Sequence, residues 1–259
     1  MPWLVLEQLG PDVFRGNNQM TGNWQRQVFG GQILAQALRA ALHTVEADRA
    51  PHSLHAYFLR RPDPPTPLVF TVERHRDGRG FSARRVTADQ GGKVVFEMTA
   101  SFQLPEDGPT GYEKPPAGTR RFDEEPVYTL DDEHPPIEMR LVSPPRADDD
   151  PRPASRDLLW CRVGIPLPDD PVMHACLLAF FTDLGSGFGD LENRRLPPFA
   201  PSIDHAIWFH QPARVDDWVL THSVPVAIGG GRGLYRGTTF DLEGRMICTF
   251  AQEMVLREQ

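Results

Sequence analysis

The chain has 259 residues, room for one large domain or for two of about 130 residues, and either can bury an adequate core. A hydrophobic share of 40% and a charged share of 24% are ordinary for a globular protein, and no apolar run approaches the roughly 18 residues of a membrane span. The net charge of -8 argues against a nucleic-acid surface, which needs a basic stripe to neutralise phosphates.

The chain opens on Trp3-Leu4-Val5-Leu6, which lacks the basic leader and the length of a signal peptide. A short strand is predicted near Val13-Phe14-Arg15. A helix then runs from about Gly31 to Val45, with Leu34, Ala37, Leu38, Ala41, Leu42 and Val45 recurring at steps of three and four. Extended segments follow at Ser53 to Arg60, Leu68 to Arg74, Phe81 to Ala88 and Lys93 to Gln103, with Asp77-Gly78 and Gly91-Gly92 as turn signals.

From Pro105 to about Pro153 the composition turns to Pro, Gly and acid, as in Asp131-Asp132-Glu133 and Asp148-Asp149-Asp150. A compact core cannot be built from such a stretch, so it reads as a linker or surface excursion, with one edge strand at Ile137 to Val142. The second half repeats the plan of the first. Asp157 to Val163 is extended, and Asp169-Asp170-Pro171 supplies an N-cap with proline at the first helical position. A helix is predicted over Val172 to Leu184. Strands follow at Ile203 to His210, Trp218 to Val224, Gly233 to Asp241 and Arg245 to Leu256.

The two halves also resemble each other residue by residue. His55-Ala56-Tyr57-Phe58 returns as His205-Ala206-Ile207-Trp208, and Arg84 and Asp89 return as Arg236 and Asp241. In that register Leu54 and Ala100 of the first copy face Asp204 and Gln252 of the second. An apolar pair thus corresponds to a carboxylate and an amide.

Gln252 stands in a strand whose alternate residues are Met246, Cys248, Phe250 and Met254, and a buried amide needs hydrogen-bond partners. Asp204 opens a strand instead of lying in a turn, and a carboxylate there is either at the solvent rim or desolvated with the raised pKa of a general base. Gly30-Gly31-Gln32 places glycines at a helix start, where backbone N–H groups and the helix dipole can hold an oxyanion.

Other chemistry finds less support. Cys161, Cys176 and Cys248 are odd in number, widely spaced and form no C-x-x-C pair, which points to a thiol-reducing compartment. No Cys/His spacing suits zinc, no G-x-S-x-G elbow occurs, and no Walker loop or dinucleotide fingerprint is present. Arg84 with Arg85, or Arg232 with Arg236, could hold a small anion, although solvated strand faces account for either pair.

Several motifs together resemble the acyl-CoA thioesterase II family. They are Val28-Phe29-Gly30-Gly31-Gln32, His52-Ser53-Leu54-His55-Ala56-Tyr57-Phe58-Leu59, Phe81-Ser82-Ala83-Arg84-Arg85-Val86, Met98-Thr99-Ala100-Ser101-Phe102-Gln103, Ile203-Asp204-His205, Trp208-Phe209-His210 and Gln252-Glu253. The resemblance implies an α+β double hotdog, two tandem repeats of a long helix wrapped by a curved antiparallel sheet. The expected division is an N-terminal hotdog at 1–104, a linker at 105–135 and a C-terminal hotdog at 136–259.

It further implies an enzyme of fatty acid metabolism that hydrolyses fatty acyl-CoA to free acid and CoA, with no metal or other cofactor. The expected setting is cytoplasmic, without nucleic acid or a membrane span, and as a homo-oligomer. The family holds its water with an aspartate, a glutamine and a serine or threonine hydroxyl. By resemblance the first two fall on Asp204 and Gln252, with Gly31 and Gln32 on the substrate side. The hydroxyl position falls on Val226, which can neither donate nor accept, with Thr221 and Ser223 as nearby substitutes. That mismatch opens a second reading, an acyl-CoA-binding protein with weak or lost hydrolysis. A third, hydration of an enoyl-CoA, needs an Asp and His pair for which no helix has the spacing.

Overall fold

A computed structural model describes residues 1–18, 28–124, 128–129, 137–142, 158–185, 187–188 and 201–257. The first half contains strands β1 (Glu7–Gly10) and β2 (Val13–Gly16), helix α1 (Gly30–Leu42), and strands β3 (Ala50–Phe58), β4 (Leu68–Asp77), β5 (Phe81–Gln90) and β6 (Lys93–Gln103). The second contains β7 (Tyr128–Thr129), β8 (Ile137–Leu141), β9 (Leu158–Val163), helix α2 (Pro171–Phe181), β10 (Ser202–Phe209), β11 (Val219–Gly229), β12 (Arg232–Phe240) and β13 (Met246–Val255). Strands β1 and β7 and the 3-10 turns at Pro2–Leu4 and Phe122–Glu124 are additions to the expected elements; the other helices and strands lie where the periodicity placed them, within a few residues.

The thirteen strands among the described residues join one antiparallel sheet in the order β1-β2-β4-β5-β6-β3-β10-β13-β12-β11-β9-β8-β7. The order β2-β4-β5-β6-β3 on one side matches β9-β11-β12-β13-β10 on the other, and β3 meets β10 at the centre. Within each half the meander turns tightly. The β5–β6 turn at Gly91-Gly92 and the β11–β12 turn at Gly230-Gly231 both have positive φ at both residues, the geometry that matches strand twist and that glycine reaches without strain.

Helix α1 is buried almost all round, from Gly31 through Leu38 and again at Ala40, Ala41 and Leu42. Its alanines permit this, because they let the sheet and the second helix approach closely. Helix α2 begins as read, with the Asp170 carboxylate accepting a hydrogen bond from Val172 N at 3.0 Å and Pro171 in the first turn. The two helices lie antiparallel and in contact: Arg39 near the end of α1 meets Asp170 at 3.5 Å, while the glycines that start α1 meet the end of α2.

The opposite face of the sheet is covered in the second half. Trp160, Trp218, Leu220, Phe240 and Met246 form a small cluster there, against which Tyr112 and Phe122 pack. Trp160 Nε1 also donates to the Arg120 carbonyl at 3.0 Å. Residues 105–124 are therefore a surface excursion that closes an apolar face.

The side-chain phase of the repeat differs by one residue from the alignment by identity. Leu54 and Ala56 of β3 are buried, as are His205 and Ile207 of β10, while Asp204 and Trp208 lie on the other face. Leu54 pairs with Ala100 and His205 pairs with Gln252. Register breaks at Pro51/Ser53 and at Ser202/Asp204 fall at matching points. The counterpart of Leu54 is thus His205, not Asp204. Across the next ladder Arg84 pairs with Ala100 and Tyr235 with Gln252, so the counterpart of Arg84 is Tyr235, not Arg236. The motif His-Ala-aromatic-aromatic misleads because a one-residue slip in a strand exchanges its faces.

Candidate active site

The end of α2 and the start of α1 meet at one carboxylate. Thr182 ends α2 with its hydroxyl donating to the Ala179 carbonyl at 2.8 Å, and Asp183 follows. Helix α1 has no side-chain cap of its own at Phe29, and its Gly31 N–H donates to the Asp183 carboxylate. The second helix therefore supplies the negative charge that the positive end of the first prefers.

Both glycines are needed for this approach. A Cβ on Gly30 would stand 2.8 Å from Asp183 Oδ2, and one on Gly31 would stand 2.8 Å from the Phe180 carbonyl oxygen. Glycine is the residue that lets the two helix ends close.

Gln252 of β13, 1% exposed, completes the arrangement. Its Nε2 donates to Asp183 Oδ1 at 2.8 Å and to Ser202 Oγ, and its Oε1 accepts from the Tyr235 hydroxyl at 2.5 Å. Both N–H groups and the oxygen of this buried amide have partners, as its burial demands. Burial pushes Asp183 up to about 6, against the lowering effect of the hydrogen bonds from Gln252 and Gly31. That places a partly accessible carboxylate near the range in which a general base works at neutral pH.

His205 lies beside Gln252 with its Nε2 2.9 Å from Thr182 Oγ1 and its ring stacked on Phe250. Because the Thr182 proton is directed to Ala179, the hydroxyl accepts from His205, which places the imidazole proton on Nε2. Burial lowers His205 to about 4, so the ring is neutral at physiological pH.

The structure does not bring Asp204 to this point. Its Oδ1 accepts from Glu253 N at 2.9 Å and its Oδ2 lies 3.3 Å from His55 Nε2, on the face of the sheet away from Gln252. Val226 is 55% exposed beside a register break in β11. Thr221 is engaged with Thr239 at 3.2 Å. The hydroxyl that does meet Gln252 is Ser202, three strands away from β11 in the sheet order. Gln32 is buried, with its Nε2 3.4 Å from both Asn17 O and Asn18 Oδ1. The Gly31 N–H, expected to face a substrate carbonyl, is given to Asp183.

Asp183 and Ser202 were missed by sequence reasoning, yet one signal was available. Thr44 and Thr182 both close a helix with the same hydroxyl-to-carbonyl bond. Aligning them sets Val45 against Asp183, another apolar-to-carboxylate difference between the copies.

Among the described residues no group of three His, Cys, Asp or Glu is placed to hold a metal ion, and no helix is long and apolar enough to cross a membrane.

The sequence model of the acyl-CoA thioesterase N-terminal domain matches residues 20–103, and that of the C-terminal domain matches residues 105–256. The chain belongs to the acyl-CoA thioesterase family. As a member it is a thioester hydrolase acting on acyl-CoA.

The thioesterase is 35% identical to acyl-coenzyme A thioesterase 8 of Rattus norvegicus over 99% of this chain and 88% of that protein. It is 34% identical to acyl-CoA thioesterase 2 of Haemophilus influenzae over 98% and 95%. Its structure matches that of the acyl-CoA thioesterase II TesB2 from Mycobacterium marinum with a TM-score of 0.84 and 37% identity, covering 100% of this chain and 98% of that one. A hot dog fold protein from Alicyclobacillus acidocaldarius, only 19% identical, aligns with a TM-score of 0.81 over 100% and 97%. The thioesterase therefore has a hotdog fold.

Proposed function

We propose that this thioesterase releases fatty acids from CoA with a water activated by Asp183 and held by Ser202, both groups being set in place by Gln252. The observation that carries the assignment is the convergence of these three side chains on one another at the end of α2. An aspartate, a glutamine and a hydroxyl are the groups the family uses, and this triad supplies all three without Asp204 or Val226.

In the proposed reaction Asp183 takes a proton from the water as its oxygen attacks the thioester carbonyl carbon. The attack gives a tetrahedral intermediate whose oxyanion lies in the field of the α1 dipole, the Gly31 N–H itself being held by Asp183. The intermediate then collapses, the C–S bond breaks, and the proton held by Asp183 passes to the departing thiolate. The products are a free acid and CoA thiol, and the base is restored.

The matching strand orders and the shared Thr44 and Thr182 bonds support a double hotdog with one working site for two repeats. Tyr57 and Trp208, both nearly half exposed on the outer face of the central strands, support association of copies through the sheet. The three free, buried cysteines fit a reducing cytoplasm. The non-catalytic reading has lost its motive, because it rested on Val226 as the hydroxyl position.

Thiol release from a series of acyl-CoA chain lengths tests the assignment. Asp183→Asn should abolish release while Asp204→Asn leaves it intact, and the reverse pattern would return the base to Asp204.

A further inference from the structure

Tyr235 is fully buried, yet its hydroxyl is directed at the working amide. On β12 it stands directly opposite Gln252, with its oxygen 2.5 Å from Gln252 Oε1 and 3.1 Å from the Gly185 carbonyl oxygen. The ring is held edge-on by Phe188 at 5.6 Å and Phe250 at 6.3 Å. A Cβ at Gly187 would come within 2.9 Å of the ring, so that glycine admits it. The hydroxyl is thereby fixed in space by apolar packing.

The counterpart position in the first half shows that the fold does not require a tyrosine here. Arg84 fills it, buried, and its guanidinium bonds Thr44 and Asp77. The residue opposite Arg84 is Ala100, so there is no amide to orient.

We propose that Tyr235 is a positioning residue for hydrolysis, whose hydroxyl fixes the rotation of the Gln252 amide so that both N–H bonds point to Asp183 and Ser202. This rests on reading those three residues as the hydrolytic site. A phenol donates to Oε1; were the amide turned over, its oxygen would meet the Asp183 carboxylate, acceptor against acceptor. Tyr235 acts through Gln252 and does not touch the water.

The consequence is electrostatic. Asp183 is faced by the Gly31 N–H from α1, by Gln252 from β13 and by Tyr235 from β12, with Ser202 and His205 of β10 on Gln252. The two titratable neighbours stay neutral in the working range, because burial raises the Tyr235 phenol and lowers His205. The oriented amide is thus a main support of the ionised carboxylate. Without the hydroxyl the amide is held from the Asp183 and Ser202 side alone, Asp183 loses part of that support, and its pKa rises further.

The test is Tyr235→Phe, which removes one oxygen and keeps the ring among Phe188 and Phe250. Thiol release should show kcat lowered about tenfold, KM within about twofold, and the acid limb moved to higher pH. Titration of ¹³C-labelled Asp183 should show the same upward movement in the absence of substrate. An unmoved acid limb and an unmoved Asp183 titration would overturn the proposal, including a case in which kcat falls evenly at all pH values together with the melting temperature. Asp183→Asn, run alongside, separates the two inferences. Full thiol release by that variant would sink the site assignment, while the carboxylate titration in Tyr235→Phe still decides whether the hydroxyl sets the amide.

Discussion

Gln252 Nε2 donates to Asp183 Oδ1 at 2.8 Å, joining the last strand of the sheet to the end of the second helix. The contact ties a partly buried carboxylate to a buried amide, and its strength depends on the carboxylate being ionised.

The pH dependence follows from that charge. Burial raises Asp183 to about 6, so the proposed base is ionised above that value and protonated below it. The rate of thiol release should fall as pH drops through about 6 and level off above about pH 7. A profile of kcat against pH checks this, and a limb centred near the ordinary carboxylate value of about 4 would exclude Asp183 as the base.

Stability should move the other way. Asp183 has a folded-state pKa above its unfolded value, so the folded protein binds the proton more tightly. This group therefore contributes most at low pH, and its contribution is lost between about pH 4 and 6 as the folded carboxylate is forced to ionise. Asp183→Asn should accordingly gain on the wild type by about 1–3 kcal/mol between pH 4 and pH 8. Chemical denaturation of both proteins at the two pH values measures the difference.

Replacement of the glycines should be felt at the carboxylate. Gly31→Ala introduces a Cβ 2.8 Å from the Phe180 carbonyl oxygen and 3.1 Å from Asp183 Cβ. The helix ends must then part, and overpacking of about 1–3 kcal/mol exceeds the roughly 1 kcal/mol that alanine gains over glycine in a helix. A lower melting temperature and a loss of kcat are expected together.

The hydroxyls separate cleanly. Ser202→Ala should lower kcat about 10- to 100-fold, since it removes the group that shares the Gln252 amide with Asp183. Val226→Ser, on an exposed strand, should alter neither kcat nor stability beyond about 0.5 kcal/mol. Recovery or gain of activity in Val226→Ser would restore that position to the site.

Arg84 offers a purely structural prediction. Its guanidinium is buried and serves Thr44, Asp77 and the carbonyls of Arg76 and Ala83. Arg84→Met should destabilise the fold by about 2–4 kcal/mol, leaving KM unchanged, as measured by urea denaturation with parallel kinetics.

Much of this was legible in the residues. The Asp170-Pro171 helix start, the Gly91-Gly92 turn and the isolated polarity of Gln252 among Cys248, Phe250 and Met254 are local signals, each set by a few adjacent side chains. Asp183 was not legible, because the apolar period of α2 runs on into Leu184 and absorbs the carboxylate into the helix pattern. Asp204 attracted attention because identity between two copies ignores which face of the strand a residue occupies. The meeting of Ser202 with Gln252 depends on a strand pairing, and no spacing along the chain reveals it.

The capping of α1 by Asp183 divides the labour between the two halves of the chain unequally. The second half furnishes side chains, while the first furnishes the main chain of a helix start, a group every residue carries. At Gly30 and Gly31 the first half is bound by the carboxylate of the second, because there a single extra carbon would intrude.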